Sequence, residues 1–417
     1  MRTLPLCLLS VAAIGTPALS DPIKLKPLVD ARVRYENVDQ DGIAREADAL
    51  TARVRLGFEA ASGPFAFLAE SEATLAMSEH YNSGLNGKGI YPLVADPENI
   101  ELNRIQLQFK GLPKTIVTVG RQRINLDDQR FVGAVGWRDN EQTFDAARIE
   151  YSGIKNVKLD VTYSWSARTI WGMDGTKATT PPRPQSIDGD NVFATLAYTT
   201  KIGTLTGFYF RVDEDETPAA LLRNSSQTFG GRFAGAHPFS KTVKLTYAAS
   251  YARQSDIGTS PIDYAADYYL VEAGLEVKAF KFGAGYEVLG ADGSVTTKAS
   301  GLPFAGGFAF QTPFATLHKF QGWADKFLVT PANGIKDLYG SVGYGWKKVG
   351  PFDTIGVSAI YHDFKSERLG LHYGDEINLQ LLAKMKKYTF TLKYADYNAK
   401  AFATDTRKIW ASIEWAF

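Results

Sequence analysis

Apolar residues recur at every second position along nearly the whole chain, and no other feature restricts the fold as much. Successive side chains of an extended strand point to opposite faces, so a period of two describes strands with one apolar and one polar face. In residues 49–60, Leu50, Ala52, Val54, Leu56 and Phe58 share one face while Thr51, Arg53, Arg55 and Glu59 share the other. Val157, Leu159, Val161, Tyr163 and Trp165 stand against Lys158, Asp160, Thr162, Ser164, Ser166 and Arg168 in the same way. Ile377, Leu379, Leu381, Ala383 and Met385 oppose Glu376, Asn378, Gln380, Lys384 and Lys386, with Leu382 as the break. Eighteen such segments can be marked between residues 27 and 417, punctuated by Gly, Asn, Asp and Pro clusters. The expectation is an all-β chain, a single transmembrane antiparallel β-barrel of about 18 strands (16–18).

A spanning helix would need about 18 or more consecutive apolar residues, and no stretch beyond the N-terminus approaches that. The N-terminus itself reads as a secretory signal over residues 1–20, with Arg2 as the charged region, Leu4 to Ile14 as a short apolar stretch and Ala18-Leu19-Ser20 before the cut. Residues 21–417 are then the exported barrel. Cys7 is the only cysteine and falls within the signal, so the mature chain is expected to hold together without disulfides. The 46 Lys+Arg against 45 Asp+Glu leave a net charge of +1, which lacks the basic excess of a nucleic-acid binder.

The links between segments alternate in length. Residues 152–156, 201–203 and 348–351 suit periplasmic turns, whereas 78–99, 169–189, 213–225, 254–265 and 290–335 suit external loops or inward-folded constrictions. Aromatics near segment ends (Trp165, Trp171, Tyr268, Tyr269, Trp346, Tyr361 and Trp410) fit interfacial girdles or ordinary core packing. The final segment alternates Ile409, Ala411, Ile413, Trp415 and Phe417 with Lys408, Trp410, Ser412, Glu414 and Ala416, and a closing strand that ends on an aromatic resembles the signature read by the outer-membrane assembly machinery. The expected location is the bacterial outer membrane, with its lipids as partners.

Arginines recur on the polar faces: Arg32 and Arg34, Arg53 and Arg55, Arg104, Arg121 and Arg123, and Arg148. A spacing of two places each pair on one face, and unpaired charge is costly toward lipid, so that face is expected to line the lumen. Such a wall attracts anions, and the planar guanidinium fork suits carboxylates. Alternatively Glu36, Glu59, Glu70, Glu72 and Glu150 neutralise these arginines in structural ladders. The residues alone leave both readings open.

The run Gly120-Arg121-Gln122-Arg123, continuing through Asp127-Asp128-Gln129-Arg130-Phe131-Val132-Gly133, Trp137-Arg138 and Glu141-Gln142-Thr143-Phe144-Asp145-Ala146, resembles the alginate-export family of outer-membrane barrels. A second block, from Thr312-Pro313-Phe314 through His318-Lys319-Phe320-Gln321-Gly322-Trp323-Ala324-Asp325-Lys326-Phe327, is similar to another part of that family. The resemblance implies a monomeric barrel of about eighteen strands with an electropositive constriction that passes an anionic uronate polysaccharide in its type member. It also points to Arg121, Arg123, Arg130 and Arg138, with Asp127, Asp128 and Asp145, as the wall network near that constriction.

His318 and Asp325 fall in a segment too irregular for a strand, between Pro313 and Pro331, which is expected to fold into the pore as a loop. His80, His237, His318, His362 and His372 show no metal-ligand spacing, and Asp188-Gly189-Asp190-Asn191 fits a turn better than a calcium loop, so no metal and no cofactor is expected. The leading function is an outer-membrane channel for anionic or sugar-like solutes that does no chemistry on them. The alternatives are a general diffusion porin and a barrel-borne hydrolase, for which His318 with a nearby serine would be the only candidate pair.

Overall fold

The computed structural model describes residues 22–215 and 219–417; the segment read as a signal lies outside them. Eighteen strands form one sheet. In chain order they are β1 (Lys24–Gln40), β2 (Ala47–Ser62), β3 (Phe65–Ala76), β4 (Asn99–Phe109), β5 (Thr115–Gln122), β6 (Thr143–Tyr151), β7 (Val157–Arg168), β8 (Ser186–Thr199), β9 (Thr204–Val212), β10 (Ser226–Pro238), β11 (Val243–Asp256), β12 (Ala265–Val277), β13 (Phe280–Leu289), β14 (Ile335–Val349), β15 (Phe352–Lys365), β16 (His372–Met385), β17 (Tyr388–Ala399) and β18 (Thr406–Ala416). Every neighbour is antiparallel, and β1 pairs with β18 from Asp30↔Ala416 to Gln40↔Thr406, which closes the barrel and leaves no free edge. No helix of the described residues is long and apolar enough to cross a membrane; the crossing is made by strands.

The alternation resolves into two faces. Val54, Leu56, Ile105, Leu107, Val119, Ile149, Leu379, Leu392 and Ile413 are exposed on the outside, where they form an apolar band. Aromatics bound the band toward the loops (Tyr35, Tyr163, Trp165, Tyr251, Tyr269, Tyr286, Tyr361) and toward the turns (Phe65, Phe67, Tyr198, Phe280, Trp346, Tyr388). Three of the aromatics expected near the girdles lie elsewhere: Tyr268 and Trp410 are 1 % exposed inside the barrel, and Trp171 belongs to a loop. The strands of Tyr268 and Trp410 place them on the inward face, where loops cover them.

Turns of two to five residues join the strands at the end that carries both Lys24 and Ala416, and the longer links all lie at the other end. Residues 77–98, 123–142 and 290–334 fold back into the lumen. A cluster of Val38, Ala47 and Ala49 with Tyr81, Tyr91 and Val94 holds the first of them, and two further apolar clusters inside the loop-end half of the barrel hold the other two. One joins Tyr264, Tyr268 and Trp410 of the wall side to Phe310, Ala324 and Phe327 of the last loop. The other joins Phe144, Phe193 and Phe210 to Ile124, Leu126, Val132 and Phe314. Phe131 links the two, with ring centroids 5.0 Å from Phe208, 5.4 Å from Tyr268 and 6.0 Å from Phe310.

Candidate functional site

The inward faces of β1 and β2 carry Arg32 opposite Arg53 and Arg34 opposite Thr51. Four cations on two adjacent strands would repel one another, and acids from the loops and from neighbouring strands offset them. Arg32 donates to Asp139 through Nε (3.0 Å) and Nη2 (2.7 Å). Arg34 donates to Asp96, and Arg53 to Asp30 and Glu414. Arg55 pairs with Glu72 and with Glu141 at 3.0 Å. Further round the wall, Arg148 holds Asp160 at 2.9 Å and Glu150 at 3.4 Å. A register shift at Glu70/Ser71 brings Asn103 and Arg104 both onto Glu70, which Arg104 grips through Nε (2.8 Å) and Nη2 (2.7 Å).

Arg130 and Arg138 belong to the loop 123–142 and tie it to the rest. Arg130 donates to Glu287 of β13 at 2.6 Å and to Thr312 at 2.9 Å, with its guanidinium 4.7 Å from the Phe320 ring. Arg138 reaches Glu36 of β1 at 3.2 Å, Asp96 at 3.2 Å and Asp325 at 3.0 Å, so one buried guanidinium joins the wall and all three inward loops. Asp127 and Asp128, from the same loop, face Arg232 of β10 at 3.4 Å and 3.2 Å.

Arg121 and Asp145 are placed differently. Arg121 pairs in register with Ile105 and Asp145, while Val119 pairs with Ala147 and Val117 with Ile149, so this series faces outward. There Arg121 and Asp145 make a two-bond pair at 2.7 and 2.9 Å. Arg123, two residues on, does not share that face. The ladder ends at Gln122 and the chain turns into the barrel, where Arg123 holds Glu141 at 2.8 and 2.7 Å. Spacing of two therefore fails as a guide to facing at this one pair, because it holds only while the ladder continues.

His318 and Asp325 do lie in a loop inside the lumen. His318 stacks on Trp137 at 4.2 Å with 4° between the planes. Burial pushes its imidazole down to about 3, so it is neutral. Its Nδ1–H donates to Asp325 at 2.7 Å and its Nε2 accepts from Lys393 of β17 at 2.7 Å. Burial alone would raise the Asp325 carboxyl, but the His318 bond, Lys408 and Arg138 hold it well below the usual carboxylate range. The Lys393 ammonium sits 4.0 Å from the Trp137 ring and 3.7 Å from the Trp323 ring. Both ring nitrogens of His318 are thus engaged by Asp325 and Lys393 rather than by a serine.

Open space remains on the turn side of the loops. One cavity of about 410 Å³ is bordered by Asp30, Arg55, Glu70, Arg104, Arg123 and Glu141. Three cations face three acids, yet they are not equally accessible. Arg123 is 33 % exposed against 1 % for Glu141, and Arg104 is 15 % exposed against 5 % for Glu70. A second cavity of about 400 Å³ lies against β10–β14 and includes Arg232, Thr246, Glu272, Tyr339 and Ser341. A third concavity, about 480 Å³, is bordered largely by Phe280, Val342, Tyr344, Leu379 and Leu392 of the outward face and belongs to the lipid-facing surface.

Sequence reasoning singled out neither Asp96, Asp139, Glu141 and Glu287, which hold the arginines, nor Arg232, Lys393 and Lys408. Nothing local marks them. Asp139 and Glu141 did lie within the run that carried the family resemblance, which was the one available signal.

The folds of solved outer-membrane channels are similar. Acinetobacter baumannii OccAB4 superposes with a TM-score of 0.67 at 14 % identity, over 96 % of this chain and 99 % of that one. Pseudomonas aeruginosa OpdK, crystallised with vanillate, gives 0.65 at 10 % identity over 94 % and 98 %. Pseudomonas aeruginosa OccK9 (OpdG) gives 0.67 at 12 % over 94 % and 99 %. A search of curated proteins finds none that matches the sequence. The alginate export family matches residues 28–326, most of the described barrel. Closed wall, apolar band and loop-filled lumen are those of an outer-membrane β-barrel, and the chain belongs to the alginate export family.

Proposed function

We propose that this barrel is a channel for small anionic solutes, carboxylates and sugar acids among them, which it selects by pore size and lumen charge without altering them. One barrel is the conducting unit. The observation that carries this reading is the unequal exposure within the ion pairs beside the first cavity: the Arg123 and Arg104 guanidinium groups reach the open space while Glu141 and Glu70 are covered. At these two pairs a passing ion meets the cation first although the pairs balance formally, while Asp30, 27 % exposed on the same cavity, offsets part of that field. The family's name points to a uronate polymer and the OpdK crystal to an aromatic carboxylate; the carboxylate is their common chemistry. Arg55, Arg104 and Arg123 are the proposed lining of the solute path. Arg32, Arg34, Arg53, Arg130 and Arg138 shape that path by holding the loops.

Refolded protein in planar bilayers under a salt gradient tests this. The expected result is an anion-selective reversal potential that moves toward zero in Arg123→Gln and further in Arg104→Gln/Arg123→Gln. A cation-selective wild type, or selectivity indifferent to both substitutions, would overturn the reading.

A further inference from the structure

Arg232 occupies the wall opposite the arginines of β1 and β2, on β10 in register with Thr206 and Ser250. Its ion pairs differ from the others in the lumen. Asp127 and Asp128 approach Nε and Nη1 at 3.4 Å and 3.2 Å, but neither nitrogen makes a well-aligned hydrogen bond among the described residues, and both are buried. Buried guanidinium donors that stay unbonded are costly, and the cost is recovered by any carboxylate able to align with the fork. Exposure is also reversed here. Arg232 is 13 % exposed, whereas Asp127 is 39 % and Asp128 20 %, so the acids are the partners nearer water.

The two acids ride on a tight turn whose flanks, Leu126 and Arg130, are anchored to the wall, so only the acid side chains need to move. Asp127 and Gln129 both take left-handed backbone conformations, with φ of 48° and 70°. Burial raises the Asp127 carboxyl above its ordinary value, more than Arg232 lowers it. Beside the pair lies the cavity of about 400 Å³, to which Thr246, Ser341 and Tyr339 bring hydroxyls and Glu272 a carboxylate. Gly274 and Gly283 keep that wall flat: a Cβ on either would come within 2.5 Å of the Thr246 or Ser341 hydroxyl oxygen. The chemistry beside Arg232 is thus one fork for a carboxylate and several groups for hydroxyls.

We propose that Arg232 is the carboxylate-recognition residue of a sugar-acid site in the turn-side lumen, and that the Asp127–Asp128 turn is its internal stand-in, which the solute carboxylate displaces. One anion replaces another, so the guanidinium is never left without a counter-charge, and the released acids return to water. The inference rests on the channel reading above and adds to it the residue that selects and the group that yields.

The test measures block of the potassium chloride current by D-glucuronate added on the turn side, with acetate and D-glucose as comparisons. Wild type is expected to be blocked by glucuronate at lower concentration than by acetate, and not by glucose. In Arg232→Gln the half-blocking glucuronate concentration should rise about tenfold or more, with Arg232→Lys between the two. In Asp127→Asn/Asp128→Asn it should fall several-fold, a gain of binding that a misfolded barrel cannot mimic. Block that ignores Arg232, or that weakens when the two acids are neutralised, would overturn the proposal. An anion-selective wild type with either of those results sinks this inference alone, whereas a cation-selective wild type sinks the channel reading too.

Discussion

The guanidinium of Arg138 lies 3.0 Å from the carboxylate of Asp325, a residue 187 positions further along the chain. The same side chain reaches Asp96 and Glu36, so a single buried cation neutralises acids from two other loops and the wall. Buried charges of this kind gain little net stability as a set, but removing one partner strands the rest. The lumen is therefore narrowed by loops whose attachment depends on a few arginines.

Arg138→Gln should release the loop 290–334. Asp96 keeps Arg34 and Asp325 keeps Lys408, so losing the shared cation is expected to cost less than the about 3–5 kcal/mol of a buried pair broken outright. The expected outcome is a larger single-channel conductance together with new tryptic cleavage at Lys319 and Lys326, which are loop residues in the folded wild type. Unchanged conductance and protection would show that the apolar clusters alone hold the loop.

Phe131→Ala removes the ring that joins the two apolar clusters. Truncation of a fully buried aromatic costs about 3–5 kcal/mol, and because Phe131 is only partly buried the loss is expected to be smaller. Because the lost contacts are inside the barrel and the wall ladder is untouched, the loop 123–142 should loosen while the barrel still migrates as folded on a gel. Hydrogen exchange of the loop amides is the measurement.

Glu214, in the loop 213–225, is fully buried, and neither carboxylate oxygen has a well-aligned hydrogen bond among the described residues. Burial raises its carboxyl to about 8. At pH 4 the group is protonated whether folded or unfolded and costs nothing by this route. As pH rises above the ordinary carboxylate range the unfolded group ionises and the folded one does not, so stability is lost until about pH 8, where the loss levels off. Each pKa unit corresponds to about 1.4 kcal/mol. Glu214→Gln should match wild type in melting temperature at pH 4 and exceed it increasingly toward pH 8.

Asp145→Ala leaves Arg121 alone on the outward face. The pair lies at the loop end of β5 and β6, near the membrane interface, where an unpaired arginine costs about 1 kcal/mol or less, compared with about 2–4 at mid-bilayer. A small drop in folding free energy into vesicles with no change in ion selectivity is expected. A selectivity change like that of Arg123→Gln would place Arg121 on the solute path after all.

The wall is legible in the order of residues alone. Residues 49–60 fall inside β2 and 157–168 coincide with β7, because alternation is a local property set by each strand having one lipid side and one water side. The same alternation turns Arg32, Arg53 and Arg148 inward. It stopped where ladders stop. Arg121 and Arg123 have the same spacing as Arg32 and Arg34 but face apart, since β5 ends at Gln122.

Which charges remain available depends on how the chain packs. Arg55 and Arg123 share Glu141, and Arg138 shares Asp96 with Arg34, through contacts between loops and strands far apart in sequence. No local pattern encodes such pairings, because they depend on how three loops pack together inside a closed barrel. Trp410 and Tyr268 are buried rather than interfacial for the same reason: the loops that cover them come from elsewhere in the chain. Strand periodicity sets which way a side chain points, and only the packed lumen sets what it meets there.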